Sequence, residues 1–305
     1  MSFKKLLCII LLTSFIITLC GCEDTEYLPS EVVVSNSEQN EEAIKPFPAE
    51  CCGVTLEKAV EKAVSLSPAM TEIICELGFK GKLAAVSSYC DYPEDLGLKT
   101  VGSTENPDID AIIELKPDAV FTLSLLSERD IYTLSRAGIA VITPKNPESI
   151  EDYYKLYKEI SAAFYGKEIA DVDKGKLKTV EIANKARLGL ENAAGKVELE
   201  SFVYVTEMLT LAGEDTFAGA VLGLSGENLC SESGYTFAEA SKGKTPKYII
   251  ADDKLSKTKI STDTTLAAML NGGAKLIYVS SSYFERPTAR TAEVFSQIAK
   301  QLAEE

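Results

Sequence analysis

The stretch that decides the fold spans residues 63–93 and reads AVSLSPAMTEIICELGFKGKLAAVSSYCDYP. Two short runs of β-forming residues, 63–66 and 83–86, flank a segment that begins at Pro68 and predicts a helix ending at Gly78. This order is typical of a parallel strand–helix–strand unit. Such units bind ligands outside the carboxyl ends of their strands. We therefore expect the loops that follow the two strands to carry function.

The N-terminus predicts export. Two lysines precede an apolar run over residues 6–19, and Cys22 follows it, a pattern typical of a signal peptide. Leu19 and the spacing to Cys22 also fit a bacterial lipobox, in which a lipid is attached to the cysteine sulfur. We expect a signal peptide over residues 1–21, a lipid on Cys22 and an acidic, flexible tether over residues 22–54. The lipid alone would hold the protein on the outer face of the cell membrane. An ordinary secretory signal with an incidental cysteine is the alternative.

The composition excludes several classes of function. A net charge of −15 without any basic run argues against binding to nucleic acid or to anionic lipid. The chain has no histidine, which removes Ser-His-Asp and Cys-His catalysis, histidine-ligated zinc and a histidine axial ligand to haem. Walker, dinucleotide-binding and G-x-S-x-G motifs are also missing from the sequence. We therefore expect no enzyme activity, no catalytic residue and no resident cofactor.

The cysteines predict neither a disulfide framework nor a metal site. Five of them follow Cys22, an odd number, and none forms a C-x-x-C pair or a second cluster. An exported compartment would permit a disulfide bond. Cys51 and Cys52 are adjacent, and a structural or unpaired role is favoured over a metal or redox pair. We therefore expect no bound metal.

Alternating predicted strands and helices divide the chain after the tether into two lobes. We expect an N-terminal α/β lobe over residues 55–166, a spine helix over residues 167–197 and a C-terminal α/β lobe over residues 198–305. The apolar residues of the spine recur near helical spacing, and at about 1.5 Å per residue the helix spans on the order of 40 Å. The predicted fold class is α/β, with two Rossmann-like lobes joined by this single long helix and a ligand cleft between them.

Loops at the predicted strand ends supply the candidate ligand-binding residues. A large flat ligand needs aromatic faces and a few polar anchors, and Tyr89 and Tyr283 lie in such loops. Arg286 would anchor an anion, with an ion pair to Glu285 or a helix-capping role as the alternative. The expected ligand-binding residues are Ser67, Pro68, Tyr89, Ser103, Thr104, Leu125, Tyr235, Ser282, Tyr283 and Arg286.

Two acids stand at equivalent places in the two lobes. Asp110 precedes Pro117 by seven residues and Glu239 precedes Pro246 by seven, and each proline opens a predicted strand. In a pseudo-symmetric protein these acids would share one outer face, where basic residues of a partner could meet them. Two ordinary solvated helix acids are the alternative.

The order of motifs resembles the helical-backbone class of ABC-transporter substrate-binding proteins, from about residue 62 to the C-terminus. The resemblance implies a ligand clasped between two lobes and an ABC permease and ATPase as partners. It also implies that an acid on each lobe docks on permease arginines, which makes Asp110 and Glu239 the expected docking residues. The motifs that carry the resemblance are SLSPAMTE (65–72), YCDYP (89–93), VG (101–102), LKPD (115–118) and FER (284–286).

Within that class, SSYCDYP (87–93) and YFER (283–286) are most similar to the vitamin B12-binding branch. The resemblance therefore implies a monomer that captures a corrinoid, cobalamin or cobinamide, and delivers it to the permease without chemistry. Thr104 stands where that branch has tryptophan, so a ferric-siderophore or haem-binding protein of the same fold is an open alternative. A surface adhesion or sensor lipoprotein is the alternative from another class.

Overall fold

The computed structural model describes residues 46–167, 178–234 and 243–304. Two sheets organise these residues into two α/β lobes, as the alternating pattern predicts. None of the described helices combines the length and the apolar character that crossing a bilayer requires. The predicted signal peptide, Cys22, Tyr235 and Glu239 lie outside the described ranges.

A short hairpin precedes the first lobe. Strand β1 (Ala49–Cys51) pairs antiparallel with β2 (Val54–Leu56) around a turn at residues 52–53, whose two residues both have positive φ. Cys51 is fully buried in the hydrophobic core. The expected tether over residues 22–54 is therefore wrong at its C-terminal end. Two strands of three residues are too short to show a hydrophobic period, and only their packing on the lobe reveals them.

The first lobe is built on five parallel strands, β3 (Ala63–Ser65), β4 (Leu83–Val86), β5 (Lys99–Thr100), β6 (Ala119–Phe121) and β7 (Ala140–Ile142). Their spatial order is β5-β4-β3-β6-β7. Every residue of β3 and β6 is buried. Both faces of a central parallel strand are covered, which explains why these strands are short apolar runs rather than alternating patterns.

Three helices of the first lobe begin at residues suited to a helix N-terminus, and α1 begins at Pro68 as the sequence predicts. Asp108 and Ser127 cap α2 and α3, because their side-chain oxygens accept backbone N–H groups at 3.0 and 3.1 Å. Proline occupies the first turn of α1, where its missing N–H costs no hydrogen bond. The helices are α1 (Pro68–Glu76), α2 (Ile109–Leu115) and α3 (Glu128–Arg136).

A fourth helix, α4 (Ile150–Tyr165), closes the first lobe. Ser149 caps it by accepting the Asp152 N–H at 3.1 Å. The Phe164 ring stacks on Phe79 and on Phe121, with ring centroids 4.3 and 5.6 Å apart. These aromatic contacts anchor α4 to strand β6 and to the segment that follows α1.

The fifth helix, α5 (Lys178–Ala194), is the described part of the predicted spine. At about 1.5 Å per residue it spans on the order of 25 Å. It packs against α4 and also against a 3₁₀ turn, Ala289–Ala292, that belongs to the second lobe. The helix therefore touches both lobes. Residues 168–177 of the predicted spine lie outside the described ranges.

The second lobe repeats the parallel arrangement with one antiparallel addition. Its strands are β8 (Glu200–Val205), β9 (Leu211–Ala212), β10 (Gly226–Asn228), β11 (Tyr248–Asp252) and β12 (Lys275–Val279). The parallel strands lie in the order β10-β8-β11-β12, and β9 pairs antiparallel with β8. The described helices are α6 (Phe217–Gly223), α7 (Lys257–Thr262), α8 (Thr264–Asn271), α9 (Ser282–Glu285) and α10 (Glu293–Ala303).

Helix α9 lies where the sequence predicts only a loop, the strand-end loop that carries Tyr283. A single helical turn has no hydrophobic period that a sequence pattern could show. Tertiary contact holds it, because the Phe284 ring packs edge-on against Tyr204 with centroids 5.3 Å apart. The turn carries two of the predicted ligand-binding residues, Ser282 and Tyr283, and the third, Arg286, is its C-cap.

Candidate functional site

The candidate site lies at the carboxyl ends of the parallel strands in both lobes. In the first lobe the loops after β3, β4 and β6 carry Ser67, Tyr89 and Leu125. In the second lobe the segments after β8 and β12 carry Met208 and Tyr283. Strands that run parallel end at one edge of their sheet, so each set of side chains shares an edge.

Ser67 has a structural place within the first-lobe edge. Its hydroxyl oxygen accepts the Leu123 N–H at 2.7 Å and lies 3.3 Å from Thr122 Oγ1. The residue is only 4% exposed. Its hydroxyl therefore ties the loop after β3 to the loop after β6. Pro68, the next residue, is half-buried in the first turn of α1.

Ser103 and Thr104 also have their hydroxyl groups engaged. Thr104 Oγ1 donates to the carbonyl oxygen of Leu66 at 2.7 Å, and Ser103 Oγ accepts the Asn106 N–H at 3.1 Å. Both residues are half-buried. These bonds set the shape of the loop after β5 and hold it against the loop after β3.

Three large apolar side chains are exposed at the strand ends. Tyr89 is 52% exposed, Leu125 is 90% exposed and Met208 is 77% exposed. Large apolar side chains left exposed at the strand ends of both lobes are candidates for a binding surface. Sequence reasoning missed Met208, although it lies three residues after the end of β8, just as Tyr89 lies three residues after the end of β4.

Arg286 joins the two lobes. Its Nη1 atom lies 2.6 Å from Asp91 Oδ1 and 3.4 Å from Glu72 Oε1, and its Nη2 atom lies 3.5 Å from Asp91 Oδ2. Asp91 follows β4 and Glu72 lies on α1, so both carboxylates come from the first lobe. The guanidinium pairs with these groups and not with Glu285, which the sequence left open. The two edges therefore meet at this ion pair.

A junction cluster surrounds Arg286, and we define it as Glu72, Asp91, Arg286, Thr288 and Arg290. Thr288 Oγ1 donates to Glu72 Oε2 at 2.9 Å, and Arg290 Nη1 lies 3.5 Å from Glu72 Oε1. The Glu72 side chain is only 1% exposed. A carboxylate buried this deeply needs such partners, because burying it unpaired would be costly.

The pKa values of the two acids of the junction cluster shift in opposite directions. Burial raises the pKa of Glu72, and the bond from Thr288 and the charges of Arg290 and Arg286 oppose that rise. The hydrogen bond from Arg286 lowers the pKa of Asp91 below its ordinary value. Asp91 is therefore firmly anionic at neutral pH and is the main counter-ion of Arg286.

The junction cluster also encloses a small cavity of about 160 Å³, which Ser282 and Tyr283 help to line. Ser282 is exposed, and its Oγ lies 3.0 Å from Ser280 Oγ. The Tyr283 hydroxyl donates to Glu293 Oε2 at 3.4 Å, and burial raises the pKa of this tyrosine. Of the predicted ligand-binding residues, Ser282, Tyr283 and Arg286 are thus brought together.

The second-lobe rim, defined as Glu207, Asp253, Lys254 and Glu285, carries an excess of negative charge. Lys254 Nζ lies 3.0 Å from Glu207 Oε2 and 3.6 Å from Glu285 Oε1. Lys254 thus pairs with two of the three acids of the rim. Asp252, next to the rim, is 1% exposed, and its Oδ1 accepts the Lys254 N–H at 2.8 Å.

A larger cavity, of about 960 Å³, opens beside Leu125. Its described lining comes from the hairpin turn, the loops after β6 and β7, and α4. These elements belong to the first lobe and its hairpin, so this cavity does not include the junction cluster. Its volume lies within the range of small-molecule pockets. Leu125 therefore lines this cavity and not the small one at the junction cluster.

The remaining predicted residues are the docking acids, Tyr235 and the cysteines. Asp110 is exposed in the first turn of α2, where it is accessible to a partner. Tyr235, Glu239 and Cys22 lie outside the described ranges. Among the described residues, no group of three or more Cys, Asp or Glu side chains is placed to hold a metal ion. The described cysteines, Cys51, Cys52, Cys75, Cys90 and Cys230, are free thiols.

Comparison with known families supports the fold. The family model described as "Periplasmic binding protein" matches residues 64–243. The uncharacterized ABC transporter substrate-binding lipoprotein YvrC of Bacillus subtilis is 30% identical over 174 residues, which cover 55% of each chain. A vitamin B12-binding protein of Yersinia pestis is 42% identical over 64 residues, 21% of this chain and 23% of that protein. The chain thus spans about half, or less, of the length of these relatives.

Solved structures match over most of the chain at low identity. A periplasmic vitamin B12-binding protein of Vibrio cholerae covers 80% of this chain with 97% of its own, at 19% identity and a TM-score of 0.53. A possible iron-binding protein of Staphylococcus epidermidis covers 80% of this chain with 99% of its own, at 20% identity and a TM-score of 0.60. A periplasmic heme-binding protein of Vibrio cholerae covers 79% of this chain with 98% of its own, at 17% identity and a TM-score of 0.57. At this identity the likeness establishes the two-lobed fold and nothing about the ligand.

Proposed function

The chain belongs to the periplasmic binding protein family, and from that premise we propose that it is the substrate-binding protein of an ABC importer. Its ligand is a corrinoid, cobalamin or cobinamide, held between the two lobes without chemical change. The observation that carries this proposal is the exposure of Tyr89, Leu125 and Met208 at strand ends of both lobes. A broad, flat macrocycle would cover these side chains and remove their apolar surface from water.

Two further observations favour a corrinoid over its rivals. The stretch of 42% identity is shared with a protein named for vitamin B12 binding. Cobalamin and cobinamide have peripheral amides rather than carboxylates, which suits a junction whose guanidinium already has carboxylate partners. Haem or a ferric chelate is the second candidate, because proteins named for both have the same fold and Tyr89 offers a phenol oxygen for iron.

Ligand titration tests the proposed function directly. Because the chain has no tryptophan, its intrinsic fluorescence comes from tyrosine, and a bound corrinoid should quench it. We expect cyanocobalamin or cobinamide to bind at a ratio of one to one and to co-purify as a red complex without iron. Binding of haemin or a ferric chelate, with no response to either corrinoid, would reject the corrinoid and support the second candidate.

A pair of tyrosine variants identifies the binding face in the same titration. Tyr89→Ala should weaken binding by about tenfold, the loss expected for one stacked aromatic face. Tyr132→Ala is the matched control, because Tyr132 is 66% exposed but lies on α3, away from the strand ends. Equal affinities of the two variants would remove Tyr89 from the site. Ser67, Pro68, Ser103, Thr104 and Tyr235 keep their proposed supporting roles until similar variants are measured.

Delivery and anchoring complete the proposal. We place the mature protein outside the cytoplasm, as a monomer held on the cell membrane by a lipid on Cys22. Asp110, exposed on the first lobe, and Glu239 on the second are the proposed contacts to the permease. A surface adhesion or sensor protein would not need these acids, so transport assays separate the two classes.

A further inference from the structure

The guanidinium at the lobe junction is already bound by the protein itself. Arg286 Nη1 and Nη2 approach the two carboxylate oxygens of Asp91 at 2.6 and 3.5 Å, and Nη1 also lies 3.4 Å from Glu72. A two-point contact of this kind is the same arrangement by which arginine binds a ligand carboxylate or phosphate. Asp91 therefore occupies the place that an anionic group of a ligand would take.

The two acids differ in how easily a ligand could displace them. Glu72 is 1% exposed and also accepts a hydrogen bond from Thr288, so it is a fixed part of the core. The Asp91 side chain is 67% exposed and belongs to the loop that also carries Tyr89. Hydrogen bonds from Cys90 N to Ser87 O at 3.1 Å and from Thr71 to Cys90 Sγ at 3.1 Å hold this loop in place. Asp91 is thus accessible but pre-positioned.

The surrounding charge points the same way. Within the second-lobe rim, Lys254 pairs with both Glu207 and Glu285, and Asp253 adds a third acid next to Lys254 in the chain. An anionic ligand that approaches this edge would meet like charges and would find Lys254 already paired. A neutral or cationic ligand meets neither obstacle.

We propose that Asp91 is a specificity-determining residue, which neutralises Arg286 across the lobe junction and so restricts the cleft to ligands without net negative charge. The proposal rests on the proposed function, because it takes the cleft between the lobes as the ligand site. An anionic ligand must displace Asp91 from Arg286, and an internal carboxylate competes at a high effective concentration. Removal of Asp91 should therefore admit anionic ligands.

The test compares two corrinoids that share one ring. Cobinamide has peripheral amides, whereas cobyrinic acid has carboxylates at the same positions, and dicyano complexes of both keep the metal charge equal. We expect the wild-type mature chain to bind cobinamide at least tenfold more tightly than cobyrinic acid. In Asp91→Ala the ratio of the two dissociation constants should fall at least tenfold. Asp91→Glu, which keeps the carboxylate, should stay near the wild-type ratio.

Matched variants separate this role from a general loss of structure. Asp95→Ala removes a nearby acid that pairs instead with Lys80 at 2.9 Å, and it should leave the ratio unchanged. Adding Arg286→Gln to Asp91→Ala should abolish the gain for cobyrinic acid. Circular dichroism and thermal melting check the folding of each variant, and Asp91→Asn replaces Asp91→Ala if the latter does not fold.

Each outcome decides one point. The role of Asp91 is overturned if the wild type binds cobinamide and cobyrinic acid with similar dissociation constants. It is also overturned if the ratio of these two constants in Asp91→Ala lies within threefold of the wild-type ratio. If neither corrinoid binds the wild type but haemin does, the corrinoid proposal fails separately. Haemin, with its two anionic propionates, then becomes the probe, and Asp91→Ala must bind it at least tenfold more tightly than the wild type. The role of Asp91 is overturned if the wild type and Asp91→Ala bind haemin equally tightly, or if neither protein binds any of the three probes.

Discussion

Thr288→Val removes a single hydroxyl group from the junction cluster and tests how strongly that cluster joins the lobes. Thr288 is fully buried, and its Oγ1 atom donates to Glu72 Oε2 at 2.9 Å. The same oxygen accepts the Arg290 N–H at 3.3 Å. Valine has nearly the same shape as threonine, so the change leaves no cavity. It leaves a buried carboxylate oxygen without its donor.

The expected magnitude follows from these two bonds. A hydrogen bond to a charged group contributes roughly 1.5–3 kcal/mol to stability. The long bond from Arg290 N–H resembles a weak helix cap and adds about 0.5 kcal/mol. Arg286 and Arg290 still face Glu72 and limit the loss. We therefore expect Thr288→Val to lower the free energy of unfolding by about 2–3 kcal/mol at pH 7.

The loss should depend on pH in a defined direction. Burial raises the pKa of Glu72 in the folded protein, so its contribution to stability is greatest below the unfolded pKa and falls as the pH rises through the folded pKa. Without the Thr288 donor the folded pKa of Glu72 rises further, so the variant loses more stability than the wild type over this interval. We expect a deficit of about 1 kcal/mol at pH 4, where Glu72 is protonated, and the full deficit at pH 7.

Urea unfolding, followed by circular dichroism between pH 4 and pH 7, measures this deficit. Thr291→Val is the matched control, because Thr291 is also fully buried but its Oγ1 donates to the carbonyl oxygen of Tyr283 at 2.9 Å. A bond to a neutral acceptor should cost about 1 kcal/mol at every pH. A Thr288→Val deficit that does not grow with pH, or one no larger than that of Thr291→Val, would refute the reasoning.

Three further predictions concern the second lobe, the partner and the membrane. In α6, Gly219→Ala should lower the free energy of unfolding by about 2–3 kcal/mol, because the added Cβ would overlap a backbone carbonyl. Gly223→Ala, whose Cβ would meet nothing within 4 Å, should be neutral or stabilising by up to about 1 kcal/mol. Urea unfolding measures both, and equal changes in the two variants would contradict the packing. Asp110→Lys should reduce cellular uptake of the ligand at least tenfold and leave ligand binding intact. Glu128 is also an exposed acid in the first turn of a helix, α3, and Glu128→Lys should leave uptake unchanged. Normal uptake by the Asp110 variant would reject the docking role. Cys22→Ser should release the protein from membranes on cell fractionation, and retention there would reject the lipid anchor.

Much of the architecture was predictable because its signals are local. Buried parallel strands such as β3 and β6 are short apolar runs, and residues such as Asp108 and Ser149 cap helices through bonds that span only three residues. The order of these elements along the chain predicts two α/β lobes. The missing histidine needs no structure at all to exclude whole classes of catalysis.

The first-lobe site was only partly predictable. The sequence placed Ser67 and Thr104 at strand ends, but their hydroxyl groups bond to backbone atoms 56 and 38 residues away along the chain. The exposure of Met208 depends on which neighbours fail to cover it. Such facts depend on the packing of separate loops, and no spacing pattern carries them.

The sequence by itself thus predicted two α/β lobes built mainly on parallel strands, and it indicated the strand-end loops in which we expect a ligand site. Only the tertiary structure decided what Arg286 binds, because Asp91 and Glu72 are 195 and 214 residues away from it along the chain. Periodicity and capping act over one or two helical turns, whereas an ion pair between lobes forms only where two sheet edges meet. For Arg286 the sequence left an anion anchor, an ion pair with Glu285 and a helix-capping role open, and in the folded protein it is paired with acids of the other lobe.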